Sequence, residues 1–276
     1  MKQHTLRQSF SFSGIGLHTG KPVRMCVSPA PPDTGIRFLR TDLQDAVVPA
    51  LLPCVMETQR AITLSCDGAK VMTPEHLLSA LYALGVDNAL IELDAAEVPI
   101  LDGSARLYAE AIRAAGLEEQ AAERSWLVID KPFVYEDPVR GSRVVFEPAP
   151  SPVFDVTIDF GSQVLGVQRA VYDASTDYAR DIAPCRTFCF LHEVEPLMKQ
   201  GLIGGGSLDN ALVVDEPNGY YGGRNPLFAN EPARHKLLDL LGDFSLAGRP
   251  LLGRIVAFKP GHEVDTQALK HYLASL

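Results

Sequence analysis

Of the 276 residues only one is tryptophan and five are cysteine: Cys26, Cys54, Cys66, Cys185 and Cys189. An odd count with no C-x-x-C pair argues against a disulfide framework and a cysteine-rich zinc site, and fits a reducing compartment. No run approaches the roughly 18 apolar residues of a membrane-spanning helix. The first residues, Met1 to Phe12, mix Lys2, His4, Arg7 and Ser9 with no apolar h-region. The expectation is a cytoplasmic monomer with no integral membrane segment. Positive charge is also scarce, since 25 Lys and Arg face 34 Asp and Glu, leaving −9. Such a balance repels a phosphate backbone, so no nucleic-acid partner is expected. A small anionic ligand remains open, because one Lys or one helix N-terminus acts locally.

What is present is the composition of a globular chain, 46% hydrophobic and 21% charged. The glycines of Gly14-Ile15-Gly16-Leu17-His18-Thr19-Gly20 match neither nucleotide-binding fingerprint. A helix is predicted from Thr73 as cap and Pro74 as first helical residue, through Leu77, Leu78, Leu81 and Leu84, to a stop at Gly85. A strand over Ala89 to Leu93, a loop over Pro99 to Ser104 and a helix over Ala105 to Ala115 follow. The acidic, alanine-rich stretch Glu118 to Arg124 shows no strand pattern and is read as the boundary between residues 1–122 and 123–276. Strands near Trp126 to Ile129, Arg143 to Glu147 and Val153 to Phe160 then precede further helices. Asp87-Asn88-Ala89-Leu90 is echoed by Asp209-Asn210-Ala211-Leu212, a weak repeat signal. The fold class expected is α+β, with two similar halves.

The chemistry-bearing residues are few. A helix predicted from Glu231 to Leu241, ended by Gly242, carries His235, Asp239 and Asp243 at i, i+4 spacing, within an arc of roughly 80°. A His and a carboxylate one turn apart suit one metal ion, although the same stripe also suits a solvated face. Glu75-His76, in the first turn of the other helix, supplies a second imidazole and a carboxylate beside it. Three such ligands describe a catalytic zinc, with a fourth position left for water whose pKa falls to about 7. His262 follows a strand and the turn Pro260-Gly261, where an exposed imidazole could protonate a leaving group. Arg186-Thr187-Phe188 and Gly204-Gly205-Gly206-Ser207 stand out without a role that spacing alone can assign.

Six segments occur in an order that resembles a known family: Thr73-Pro74-Glu75-His76-Leu77-Leu78-Ser79-Ala80, Pro99-Ile100-Leu101-Asp102-Gly103-Ser104-Ala105, Arg186-Thr187-Phe188, Gly205-Gly206-Ser207-Leu208-Asp209-Asn210-Ala211, Arg234-His235-Lys236-Leu237-Leu238-Asp239 with Gly242-Asp243, and Lys259-Pro260-Gly261-His262. The chain is similar to the UDP-3-O-acyl-N-acetylglucosamine deacetylases, the zinc-dependent deacetylases of lipid A synthesis. The resemblance covers nearly the whole chain. It implies two domains, each a small sheet with helices against it, with the active site between them. It also implies an acyl-chain passage in an insertion of the second.

By that resemblance His76, His235 and Asp239 are the zinc ligands and Glu75 the general base. His262 is the general acid or oxyanion partner, Asp243 the carboxylate orienting it, and Thr187 a hydroxyl donor to the oxyanion. Lys236 contacts the polar head of a UDP-linked acylated amino sugar, Phe188 is the aromatic at the sugar, and Ile203 and Gly206 belong to the acyl passage. This chain departs from many members at Glu263-Val264-Asp265-Thr266 and at Cys189. Two other classes are compatible with the residues: a zinc hydrolase of another amide, and a non-catalytic metal-binding homologue. Metal binding alone would need neither Glu75 nor His262.

Overall fold

Apolar and polar side chains alternate over Pro22–Pro29, putting Val23, Met25 and Val27 on one buried face, the period of a sheet covered on one side. In the computed structural model, which describes residues 1–276, this strand (β2) lies beside Phe10–Ile15 (β1). Ile36–Arg40 (β3), Ala46–Pro49 (β4) and Ala89–Leu93 (β5) complete a sheet of order β1-β2-β5-β3-β4. Only β3 and β5 run parallel. The helix Glu75–Ala83 (α1) precedes β5, and Arg106–Ala115 (α2) follows it.

The second half repeats this plan. Phe133–Asp137 (β6), Ser142–Glu147 (β7), Val153–Asp159 (β8), Val167–Tyr172 (β9) and Arg254–Phe258 (β10) form a sheet of order β6-β7-β10-β8-β9, again with one parallel pair, β8 with β10. Between β9 and β10 come an inserted helix, Leu191–Lys199 (α3), and a long one, Glu231–Ser245 (α4); His262–Ala274 (α5) follows β10. The protein is thus α+β, built from two sheet-and-helix units. α1 packs on α4, while α4 also rests on β8 and β9. One apolar core runs through both halves. No helix is long and apolar enough to cross a membrane.

Four expectations change. Glu118 to Arg124 is not structureless: Leu117–Glu123 is a strand antiparallel to Lys2–Leu6. Its polar composition follows from an outer strand on which Glu118, Glu119, Ala121 and Glu123 are exposed, with Lys2 and the N-terminus paired to Glu123. Thr73 does not cap α1; it has φ +55°, Pro74 is the cap residue, and the threonine hydroxyl is used elsewhere. Gly242 does not end α4, which runs to Ser245. A Cβ at Gly242 would lie 2.2 Å from the Glu75 carbonyl oxygen, so glycine is there to let α1 come close. The internal repeat is real in strand order, but the Asp209-Asn210 echo is not part of it. That segment leads into Leu212–Asp215, a strand of the insertion paired with Phe188–Phe190.

Candidate active site

Because α1 and α4 are sandwiched, the polar stripe on α4 faces protein, not solvent. His235 and Asp239 are each 2% exposed and Asp243 is 0% exposed. Buried groups of this kind require partners. The first turn of α1 brings Glu75 and His76 to the same place. His76 Nε2 lies 3.6 Å and His235 Nε2 3.4 Å from Asp239 Oδ1, and one ligand atom from each of the three lies within 4.8 Å of the others.

The donor set suits a divalent ion. His235 Nδ1 is 3.0 Å from the Cys185 carbonyl oxygen, which fixes the proton on Nδ1 and leaves Nε2 as a lone pair. Burial, and for His76 the neighbouring His235, lowers both imidazole pKa values, His76 to about 3, so both rings are neutral ligands at pH 7. Asp239 Oδ2 accepts from Lys236 Nζ at 2.7 Å. Asp239 Oδ1, buried and facing the two Nε2 atoms, has no hydrogen-bond partner. Burial opposes charge on Asp239, but the two histidines, Lys236 and His262 outweigh it and hold the carboxyl well below its usual range.

Beside the triad stands an acid–base pair. His262 was expected on an exposed turn; it is instead the first residue of α5 and 7% exposed. Asp243 Oδ2 accepts from its Nδ1 at 2.8 Å, and its Nε2 lies 3.8 Å from Glu75 Oε1. Burial disfavours the imidazolium, yet Asp243 and Glu75 push the His262 pKa up to about 10. Burial pushes Glu75 up to about 8, with His262 pulling the other way.

The remaining candidates line two cavities that share wall residues. A cleft of about 720 Å³ is bordered by Glu75, His76, Thr187, Phe188, Lys236, Asp239 and His262. A narrower, apolar cavity of about 280 Å³ shares Leu17, Thr187 and Phe188 with it and continues past Leu191, Val194, Leu197, Ile203 and Gly206. Thr187 is placed by its N–H, which donates to the Gly103 carbonyl at 2.8 Å. Gly103 has φ +79° and a Cβ there would lie 1.7 Å from the Asn210 oxygen, which accounts for the glycine in the P-I-L-D-G-S-A segment. Arg186 is clamped on buried Glu231 at 2.9 Å. Lys236 borders the cleft while bound to Asp239.

Sequence reasoning gave no role to Glu97, Asp265, Arg140 or Lys259. Asp265 is 1% exposed with neither oxygen partnered; burial and Asp243 raise its pKa well above normal. It belongs to the departure Glu263-Val264-Asp265-Thr266, where Thr266 Oγ1 donates to the His262 carbonyl. Arg140 and Lys259 stand on the cleft wall near the exposed Phe160 ring. The one signal for Glu97 was a lone charge inside the apolar run Ala95-Ala96-Glu97-Val98-Pro99.

A family model described as UDP-3-O-acyl N-acetylglycosamine deacetylase (LpxC) matches residues 3–274. The chain belongs to that family. It is 43% identical to the UDP-3-O-acyl-N-acetylglucosamine deacetylase of Myxococcus xanthus, over 99% of this chain and 86% of that protein. To the protein of the same name from Syntrophotalea carbinolica it is 41% identical, over 99% of this chain and 88% of the other. It is 40% identical to a bifunctional LpxC/FabZ enzyme of Chlorobaculum tepidum, over 97% of this chain, and spans 63% of the length of that relative.

Proposed function

We propose that this chain hydrolyses the acetamide of UDP-3-O-(3-hydroxyacyl)-N-acetylglucosamine, giving acetate and the free amine, in the cytoplasmic synthesis of lipid A. The observation that carries the reading is the unpartnered Asp239 Oδ1 facing two neutral histidine nitrogens, with the Glu75 and His262 pair beside it. The names of the relatives from Myxococcus and Syntrophotalea supply the substrate.

His76, His235 and Asp239 would hold zinc, which when bound polarises the amide carbonyl and acidifies water. Glu75 then accepts a proton from the attacking water as its oxygen bonds to the carbonyl carbon. Thr187 offers its hydroxyl to the oxygen on which negative charge grows. Collapse breaks the C–N bond, and the amine leaves with a proton from His262 or Glu75. Asp243 holds His262 in one tautomer and orientation, and Lys236 holds Asp239. Arg140 and Lys259 provide cationic partners for a diphosphate, and Phe188 an apolar face for the sugar.

The apolar cavity takes the acyl chain, at up to about 0.8 kcal/mol for each buried methylene. The test is release of acetate from the UDP-sugar by the purified chain, with substrates of graded acyl length. Acetate release that rises with acyl length in the wild type, and falls for long chains in Ile203→Trp, is expected. No acetate from any of them defeats the deacetylase reading.

A further inference from the structure

Glu97 is 1% exposed and lies in the chain between β5 and the Pro99–Ser104 segment. Its carboxylate accepts three hydrogen bonds from neutral donors. Oε1 takes the His18 N–H at 2.8 Å and the Thr73 hydroxyl at 2.9 Å. Oε2 takes the Thr19 N–H at 2.8 Å. Ordering three donors about one buried carboxylate is a costly arrangement unless each bond is made.

The loop so held is one side of a joint between the two halves. The Leu17 carbonyl accepts from Gly205 N–H at 2.9 Å, and the His18 carbonyl from Gly204 N–H at 3.0 Å. His18 Nδ1 accepts from Ile203 N–H at 3.4 Å. Three successive N–H groups of the second half therefore dock on two residues of the first. The fit is close on both sides: a Cβ at Gly205 would lie 2.3 Å from the Gly16 oxygen, and one at Gly16 would lie 2.2 Å from Glu97 Oε2. Leu17, His18, Ile203 and Gly204 all border the apolar cavity, and Leu17 also borders the cleft.

We propose that Glu97 is a positioning residue for acyl selectivity: by fixing the Leu17–Thr19 loop it fixes the Ile203–Gly205 segment docked on it, and so the bore of the passage. This rests on the acyl-passage reading above. A merely structural carboxylate would lower activity on all substrates together. A carboxylate that sets the bore alters how activity depends on acyl length.

The experiment measures kcat and KM over a series of UDP-3-O-acyl-N-acetylglucosamines of increasing acyl length, with bound zinc and near-UV circular dichroism for each protein. Glu97→Gln keeps the size of the side chain but turns one acceptor into a donor facing an N–H. It should lower kcat/KM about tenfold or more on the longest chain, through KM, and change kcat on the shortest by less than about threefold, with zinc content unchanged. Gly205→Ala disturbs the joint from the other half with Glu97 intact and should flatten the series in the same way; it decides the question if Glu97→Gln does not fold. A wild-type slope in either folded variant, or an equal loss of kcat at every length, overturns the inference. A flat series in the wild type removes the passage reading, and this inference with it, while leaving acetate release to judge the deacetylase reading.

Discussion

Across the first sheet the register aligns Phe10, Val27, Ile91, Phe38 and Val48 in one row. At the same positions the second sheet has Phe133, Phe146, Ile255, Phe154 and Tyr172. The scaffold is repeated while its filling is not: Phe146 stacks on Tyr272 of α5 at 4.4 Å and on Phe244 of α4 at 5.7 Å. The chemistry is divided just as unequally. The first half gives Glu75 and His76 from one helical turn, and the second gives His235, Asp239, Asp243, His262 and Thr187. Neither half holds all of these residues, so the proposed function depends on the α1/α4 contact more than on either sheet.

The largest effect should come from removing a ligand on either side of that contact. His76→Ala and His235→Ala should each lose tightly bound zinc and lower kcat/KM by roughly 10³-fold or more, the equivalent of several kcal/mol. Metal analysis and acetate release check this. Full zinc occupancy in His235→Ala would break the claim that the two halves share one ion. Next comes Glu75→Gln, which preserves shape but cannot take the proton. With zinc retained, it should cost about 10²–10⁴-fold in kcat; near wild-type turnover would remove Glu75 from the role.

Which parts were legible from sequence follows from what each residue touches. Local signals served where the partner is local: Gly85 and Gly116 after their helices, and His235 and Asp239 one turn apart. They failed where the partner is distant backbone. Gly242 looked like a helix stop because its neighbour, the Glu75 carbonyl, is on another helix. His262 looked exposed because a turn precedes it, although α5 and Asp243 enclose it. Glu97 was invisible because its three donors belong to two other segments. The ordered motifs pointed to the proposed reacting groups through family resemblance, and the structure supplies the reasons some glycines accompany them.

The contact can be strained directly. Gly242→Ala would place its methyl carbon 2.2 Å from a backbone oxygen of α1. Overpacking costs about 1–3 kcal/mol or more, against up to about 1 kcal/mol gained from better helix propensity. A net loss of about 2 kcal/mol, read as a melting temperature lower by roughly 5 °C, is expected. Gly141→Ala is the control: it has φ +64° with nothing within 4 Å of the added carbon, so only the backbone preference opposes it. A Gly242→Ala protein that melts as high as the wild type would show that the close approach of α1 and α4 is not what Gly242 serves.

The smallest effect concerns a position where the two sheets differ in charge. Asp155 on β8 occupies the register place of Leu39 on β3, since Phe154 and Phe38 pair equivalently with Ile255 and Ile91. Asp155 is 3% exposed and accepts from Arg169 at 2.6 Å and Arg254 at 3.0 Å. The Arg169 hydrogen bond, opposed by burial and aided by Arg254, holds its carboxyl below the usual range. A depressed folded pKa means the contribution is complete above the unfolded value of about 3.9 and is lost as pH falls through the folded value. Both arginines are substantially exposed, which limits the effect. Asp155→Asn should therefore cost about 1–2 kcal/mol at pH 7, and the gap from wild type in urea melts should close as pH falls below the unfolded value of about 3.9. Leu39→Ala, lacking a titrating group, should show a gap that does not change with pH. If the Asp155→Asn gap were equally constant, the ion cluster would contribute nothing that distinguishes the second sheet from the first.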